Sequence, residues 1–117
     1  MMRNGESINE IPLRPAVFHI LLALSEKPQH GLGIADQVER ATAGAVRLGP
    51  GTLYRSIKEM LRDGLVQEIP APEQDEDPRR KFLSLTDLGR AILEAEAVRY
   101  QRIVELAKDR DVLPESR

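Results

Sequence analysis

The 117-residue sequence contains no cysteine and no tryptophan, and aromatic residues make up 3% of it. Without thiols there is no disulfide and no thiolate metal site, and a reducing compartment fits best. With so few rings, aliphatic side chains must fill the interior. No stretch approaches the ~18 apolar residues of a membrane span, and the opening residues MMRNGESINEIPLRP lack the apolar run of a secretory signal. A cytoplasmic protein with no membrane contact is the expectation. The only histidines, His19 and His30, make no metal set without cysteine. Gly31-Leu32-Gly33 is not a dinucleotide fingerprint, because no strand precedes it and the third glycine is missing. No nucleophile–base set or pair of carboxylates stands in a plausible cleft order. Neither metal, cofactor nor enzymatic activity is expected.

Positive charge is also scarce, with 17 Lys and Arg against 19 Asp and Glu. The net charge of -2 counts against a uniformly basic nucleic-acid binder. The distribution weakens that objection. Arg47 to Arg62 holds four basic residues and one acid, whereas acids collect in Glu73, Asp75, Glu76 and Asp77 and along the C-terminal segment. The length is that of one domain.

The chain is organised around LGPGTLYRSIKEMLRDG, residues 48–64. Gly49-Pro50-Gly51 is turn chemistry, and Thr52 is placed to cap a helix. Leu53, Ile57, Met60 and Leu61 recur at helical spacing and form one apolar stripe. Gly64 stands where a helix closes in a left-handed conformation. The opposite face carries Tyr54, Arg55, Lys58 and Arg62, with Glu59 its one acid. A short helix, apolar behind and basic in front, suits the DNA major groove.

Residues 1–12 read as a flexible arm and 112–117 as a tail. Pro15 opens a helix that is apolar almost all round through Leu24 and ends at Lys27-Pro28. Gly31 to about Thr42 forms a second helix, stopped by Ala43-Gly44, and Ala45–Leu48 reads as an extended link or a single strand rung. Leu65–Ile69 and Lys81–Leu85 read as the strands of a hairpin whose tip is the Pro-rich acidic stretch 70–78. Thr86-Asp87 caps a last helix running to about Asp109. Leu93, Ala97, Tyr100, Val104 and Ala107 form a heptad seam along it, widened by Ile92, Ile103 and Leu106. No later element exists to cover this stripe, so a second chain should do so, helped by Phe18 and Leu22 of the first helix. The fold class is therefore mainly α with a small β-hairpin: a winged helix-turn-helix over 13–85 plus a long C-terminal dimerisation helix over 86–111.

These motifs resemble the PadR family of bacterial transcriptional regulators. The resemblance rests on Leu21-Leu22-Ala23-Leu24, His30-Gly31, Leu48-Gly49-Pro50-Gly51-Thr52-Leu53-Tyr54, Asp63-Gly64-Leu65-Val66, Asp77-Pro78-Arg79-Arg80 and Leu85-Thr86-Asp87-Leu88-Gly89. It covers about residues 13–110 and is specific because the motifs occur in this order. It implies a dimer, a recognition helix at the Pro-Gly-Thr-Leu-Tyr segment, a basic wing and one C-terminal dimerisation helix, as in the compact branch. Leu32 departs from the aromatic usual after His-Gly. The lack of tryptophan removes the sandwich by which some compact members hold flat drugs.

The expected function is sequence-specific binding of double-stranded DNA by a homodimer, as a repressor on a palindromic operator. Tyr54, Arg55 and Lys58 would reach bases or phosphates. Gly51 and Thr52 would meet phosphate at a helix N-terminus, and Arg79, Arg80 and Lys81 would straddle phosphates or enter the minor groove. Arg47 and His30 are further phosphate candidates, with capping the competing role for His30. A solvated basic helix face and a wing whose cations merely offset neighbouring acids are the competing readings. His19 reads as a packed or interface histidine. A small-molecule inducer is left open, with no residue assigned to it. The other functional class is a winged-helix protein-interaction module that does not bind DNA.

Overall fold

The computed structural model describes residues 11–114. The expected arm lies outside the described residues except for Ile11 and Pro12, and the expected tail except for its first three positions. Seven elements follow in order: α1 (Pro15–Leu24), β1 (Gln29–His30), α2 (Gly31–Ala41), α3 (Pro50–Arg62), β2 (Val66–Pro70), β3 (Lys81–Leu85) and α4 (Asp87–Asp109). The strands form one antiparallel sheet in the order β1-β3-β2. This is a winged helix, with β2 and β3 as the wing.

The apolar patterns build the core as their spacing demands. Val17, Ile20, Leu21 and Leu24 of α1, Ile34 and Val38 of α2, and Leu53, Ile57 and Met60 of α3 are all buried in one cluster. Leu65, Val66 and Leu83 extend it under the wing, and Leu93 ties in α4. Each such side chain contributes roughly 1.5–3 kcal/mol. A 13-residue helix such as α3 is marginal alone, so burial of its stripe is what holds it.

Four local expectations are corrected. The sheet has a third strand: Gln29 pairs with Leu83 and His30 with Phe82. Two residues show no alternation, so nothing in the sequence distinguishes this strand from a helix N-cap, which His30 also is. Of the two readings of Ala45–Leu48, the extended link stands and the strand rung does not. The Val46 N–H is held by Thr42 Oγ1 at 3.0 Å, so this link closes on the end of α2 rather than joining the sheet. Thr52 does not cap α3, because Pro50 at the first helical position moves the cap back to Gly49. Finally, α1 ends at Leu24, before Lys27-Pro28, with Ser25 donating backbone and hydroxyl hydrogens to the last carbonyls.

The turn after α3 and the start of α4 lock into each other. Gly64 takes the left-handed conformation (φ 77°) that closes α3, and the Leu65 N–H then bonds to Met60 O at 2.9 Å. Thr86 Oγ1 donates to Gly64 O at 2.6 Å and accepts from Gly89 N at 3.0 Å, while Thr86 N donates to Leu65 O at 3.1 Å. Gly89 packs so closely that a Cβ there would lie 2.0 Å from Leu65 O, a backbone atom with no room to yield. The Asp-Gly-Leu and Leu-Thr-x-x-Gly motifs are thus two halves of one joint between α3 and the long helix α4. Gly89→Ala should lower stability by about 3 kcal/mol or more. Urea unfolding checks this, and an unchanged midpoint would show that the joint is loose.

Candidate nucleic-acid interface

Burial of Leu53, Ile57 and Met60 turns the other face of α3 outward. Tyr54, Arg55 and Lys58 are exposed, and among the described residues neither Arg55 nor Lys58 has an ionic partner. Arg62, at the far end of the same face, pairs with Asp63 at 2.9 Å. Glu59 is drawn aside by Arg14. The uncompensated charge of α3 therefore sits in its middle turns, one turn beyond the exposed Gly51 and Thr52.

The wing stands next to this ridge, and its cations are all paired. Arg79 Nε lies 3.3 Å from Asp77 Oδ1, Arg80 Nε 3.9 Å from Asp75 Oδ2, and Lys81 Nζ 3.7 Å from Glu68 Oε1. The acids at the tip do structural work as well. Asp77 Oδ1 accepts the Arg79 N–H at 3.0 Å, and Asp75 Oδ2 accepts the Asp77 N–H at 3.1 Å. The Arg79 and Lys81 pairs are exposed and worth about 0–1 kcal/mol each, whereas the Arg80–Asp75 pair is more enclosed, its side chains 31% and 13% accessible. Arg47 is exposed, 3.5 Å from Glu39 near the end of α2. His30 caps α2, its Nδ1 accepting from Gly33 N at 3.2 Å.

His30, Tyr54, Arg80 and Lys81 come together with Gly31 and Leu32 around a cleft of about 230 Å³ between the start of α2, the start of α3 and the wing root. Arg47 stands apart from it, beyond most of the length of α2. Gly31 lets the Tyr54 ring lie against the start of α2, since a Cβ there would meet the Tyr54 hydroxyl at 2.9 Å and push that exposed side chain aside. The sequence marks Gly31 only as a helix start; its contact with a residue 23 positions later has no local signal.

On the opposite side, α4 is divided along its length. Leu93 joins the chain's own core and Ile92 packs against it, so Leu93 is not free to meet a partner. Tyr100 stacks at a tilt on Phe18, with ring centroids 4.7 Å apart. Leu22, Ala97, Ile103, Val104 and Leu106 are exposed and Ala107 is half-buried. The inner stripe also holds Glu96, fully buried, which the sequence analysis passed over although it lies three residues after Leu93 and four before Tyr100. Its carboxylate accepts from Arg99 Nε at 2.8 Å and Arg99 Nη2 at 3.0 Å, and from the Leu13 N–H at 2.8 Å. The Arg99 guanidinium holds the Glu96 carboxyl below its usual range, and the Leu13 N–H adds to this, while burial opposes it. Arg99 also covers the Tyr100 ring, 4.9 Å from its centroid.

A model of the transcriptional regulator PadR-like family matches residues 20–95. A PadR family transcription regulator from hypervirulent Clostridium difficile superimposes with a TM-score of 0.70 at 28% identity, covering 80% of this chain and 95% of that one. A transcriptional regulator from Clostridium thermocellum gives 0.68 at 16% identity, over 92% and 97% of the two chains. The PcaV transcriptional regulator from Streptomyces coelicolor gives 0.65 at 22% identity, covering 86% of this chain and 66% of its own. The latter two share the fold alone. No curated protein matches.

The Glu96 pair carries a pH signature. A carboxyl whose folded pKa is depressed contributes stability above its unfolded value, about 4.3 for glutamate, and loses it as pH falls through the folded value. Glu96→Gln should therefore be less stable than the parent at neutral pH, with the difference shrinking below about pH 4.3. Denaturant titrations between neutral and acid pH test this; a constant difference across the range would contradict it.

Proposed function

The chain belongs to the PadR-like family of transcriptional regulators, which are not enzymes, and from that premise we propose that it is a homodimeric, sequence-specific repressor acting on a palindromic operator. The observation that carries this reading is the outward face of α3, where Tyr54, Arg55 and Lys58 are exposed and the two cations have no acidic partner among the described residues. An isolated basic ridge of that kind enters a major groove without first breaking internal pairs. Arg55 and Lys58 would reach base edges, Gly51 and Thr52 the phosphate at the helix start, and Arg79, Arg80 and Lys81 the backbone beside it. Arg47 would be a peripheral phosphate contact.

The dimer would form through α4 and α1, where Phe18, Leu22, Ile92, Ala97, Tyr100, Ile103, Val104 and Ala107 offer apolar surface. The support for this is the exposure of Ile103 and Val104 on the seam side of the second half of α4, 47% and 44% accessible. Large apolar side chains gathered on one exposed face mark an interaction surface. Two copies joined there would present their α3 ridges to half-sites one duplex turn apart, roughly 34–36 Å. No helix of the described residues is long and apolar enough to cross a membrane, and action in the cytoplasm fits such a regulator.

A second reading has one observation in its favour: every wing cation is balanced by an acid. A winged-helix module that binds protein rather than DNA would show the same balance. Mixed-sequence duplex at low and high salt separates the two, since a DNA binder retards it at low salt and an interaction module does not.

The division of labour is tested by Arg55→Ala and Arg80→Ala across a set of operator variants. Arg55→Ala should cost about 1–3 kcal/mol on the preferred operator and relax specificity at one base position. Arg80→Ala should weaken all sequences alike and reduce the salt slope by about one. Equal, sequence-blind losses from both would contradict the assignment.

A further inference from the structure

His30 faces two hydrogen-bond donors at once. Its Nδ1 accepts from Gly33 N at 3.2 Å, and its Nε2 lies 2.7 Å from Arg80 Nη1. A neutral imidazole has one acceptor nitrogen and one N–H, and a guanidinium only donates. With Nδ1 serving the cap, Nε2 carries its hydrogen toward Arg80, donor against donor. In the other tautomer Arg80 gains an acceptor, but an N–H then points at Gly33 N. A doubly protonated ring gives up the cap and adds a charge beside the guanidinium. The ring is also held in place. Phe82, buried, packs edge-on against it with centroids 5.2 Å apart, and the His30 backbone pairs with Phe82 across the sheet.

The conflict vanishes if the guanidinium draws back from the ring and an oxygen that accepts from both enters, since the present 2.7 Å separation leaves no room for one. The cleft lined by His30, Gly31, Leu32, Tyr54, Arg80 and Lys81 opens at this point. Its acids lie to the side: Asp75 meets the Nε edge of Arg80 at 3.9 Å, and Glu68 meets Lys81 at 3.7 Å, both too long for hydrogen bonds. Arg80 Nη1 is left facing His30.

We propose that this cleft is the seat of one tetrahedral oxyanion, a phosphate group bridged by His30 Nε2–H and Arg80 Nη1, with Lys81 and the Tyr54 hydroxyl at its rim. The inference rests on the DNA-binding reading for its occupant, a backbone phosphodiester, and free phosphate is the other source of the same chemistry. The lining residues come from the start of α2, from α3 and from β3, so a seated phosphate ties the wing root to the helix pair and sets the register of α3 on the duplex. Charge-assisted hydrogen bonds from two sides make the seat directional. It carries no base preference of its own.

The test uses the full chain labelled with 15N-histidine, with His19 as internal control and resonances assigned through His19→Gln. Long-range proton–nitrogen correlation reads the tautomer and the Nε2 shift. The probes are inorganic phosphate, titrated against chloride at constant ionic strength, and a mixed-sequence duplex whose binding is followed independently by fluorescence anisotropy. We expect the Nε2–H tautomer, and a phosphate-dependent shift at His30 but not at His19. Arg80→Ala should abolish that shift while leaving the His19 signal in place. The duplex should reproduce the shift at far lower concentration. A shift with the duplex alone also supports the seat, as a phosphodiester held together with the rest of the duplex. A shift with inorganic phosphate and no duplex binding by anisotropy keeps the seat and defeats the DNA reading. An Nδ1–H ring that responds to neither probe overturns the seat, as does a phosphate shift that survives Arg80→Ala. If anisotropy still reports duplex binding in either case, the DNA reading stands without it.

Discussion

One stripe on α3 governs the rest of the molecule. Leu53, Ile57 and Met60 must be buried, and the surface that buries them is made by α1, α2 and β2. Their combined burial is several kcal/mol, far more than the few tenths that any exposed ion pair on the other face contributes. The rotation of α3 is therefore set from behind, by oil rather than by charge. Arg55 and Lys58 point to solvent because no acid among the described residues pairs with them, while Tyr54 lies half-exposed against Gly31. The joint formed by Gly64, Leu65, Thr86 and Gly89 then carries the same rigidity into α4. Leu13 and Arg14 extend it on the other side, one bonded to Glu96 of α4 and the next to Glu59 of α3.

Electrostatics act within that frame. The chain is acidic overall, yet its two basic surfaces are kept in different states. On α3 the middle cations are uncompensated, whereas on the wing each cation rests on a carboxylate at 3.3–3.9 Å. Asp75 and Asp77 also accept backbone N–H groups of the tip, so these acids brace the wing while their contacts with its cations stay long. Net charge alone would have missed this, because it averages over surfaces that never meet the same partner.

Periodicity made the helices legible. The all-round apolar run of α1 behind Pro15, the 3.6-residue repeat in α3, the cap at Thr86 and the left-handed Gly64 all stand in the sequence as they stand in the fold. The two longer strands were legible as well, to within a residue. What stayed hidden depends on contacts between distant residues. β1 is two residues with no pattern, and it exists only because β3 presents an edge to His30. Thr52 carries every mark of a cap, but Pro50 starts the helix earlier. Leu93 belongs to a heptad seam and is nevertheless buried in its own chain, and Glu96 sits on an apolar stripe where Leu13 and Arg99 satisfy it. The His30–Arg80 encounter joins residues fifty positions apart, and no spacing rule points to it.

Beyond Tyr100 the body of the chain no longer covers α4, and Ile103, Val104 and Leu106 face outward. A second copy lying there would fix the separation of two α3 helices. Since the chain has no cysteine, Thr52→Cys gives a single spin-label site at the start of each α3. Electron–electron dipolar spectroscopy on the labelled protein should return one distance between copies, near one duplex turn or roughly 34 Å. Absence of any defined distance at micromolar concentration, or one far from the duplex repeat, would contradict the claim that paired α4 helices set two basic ridges to the pitch of DNA.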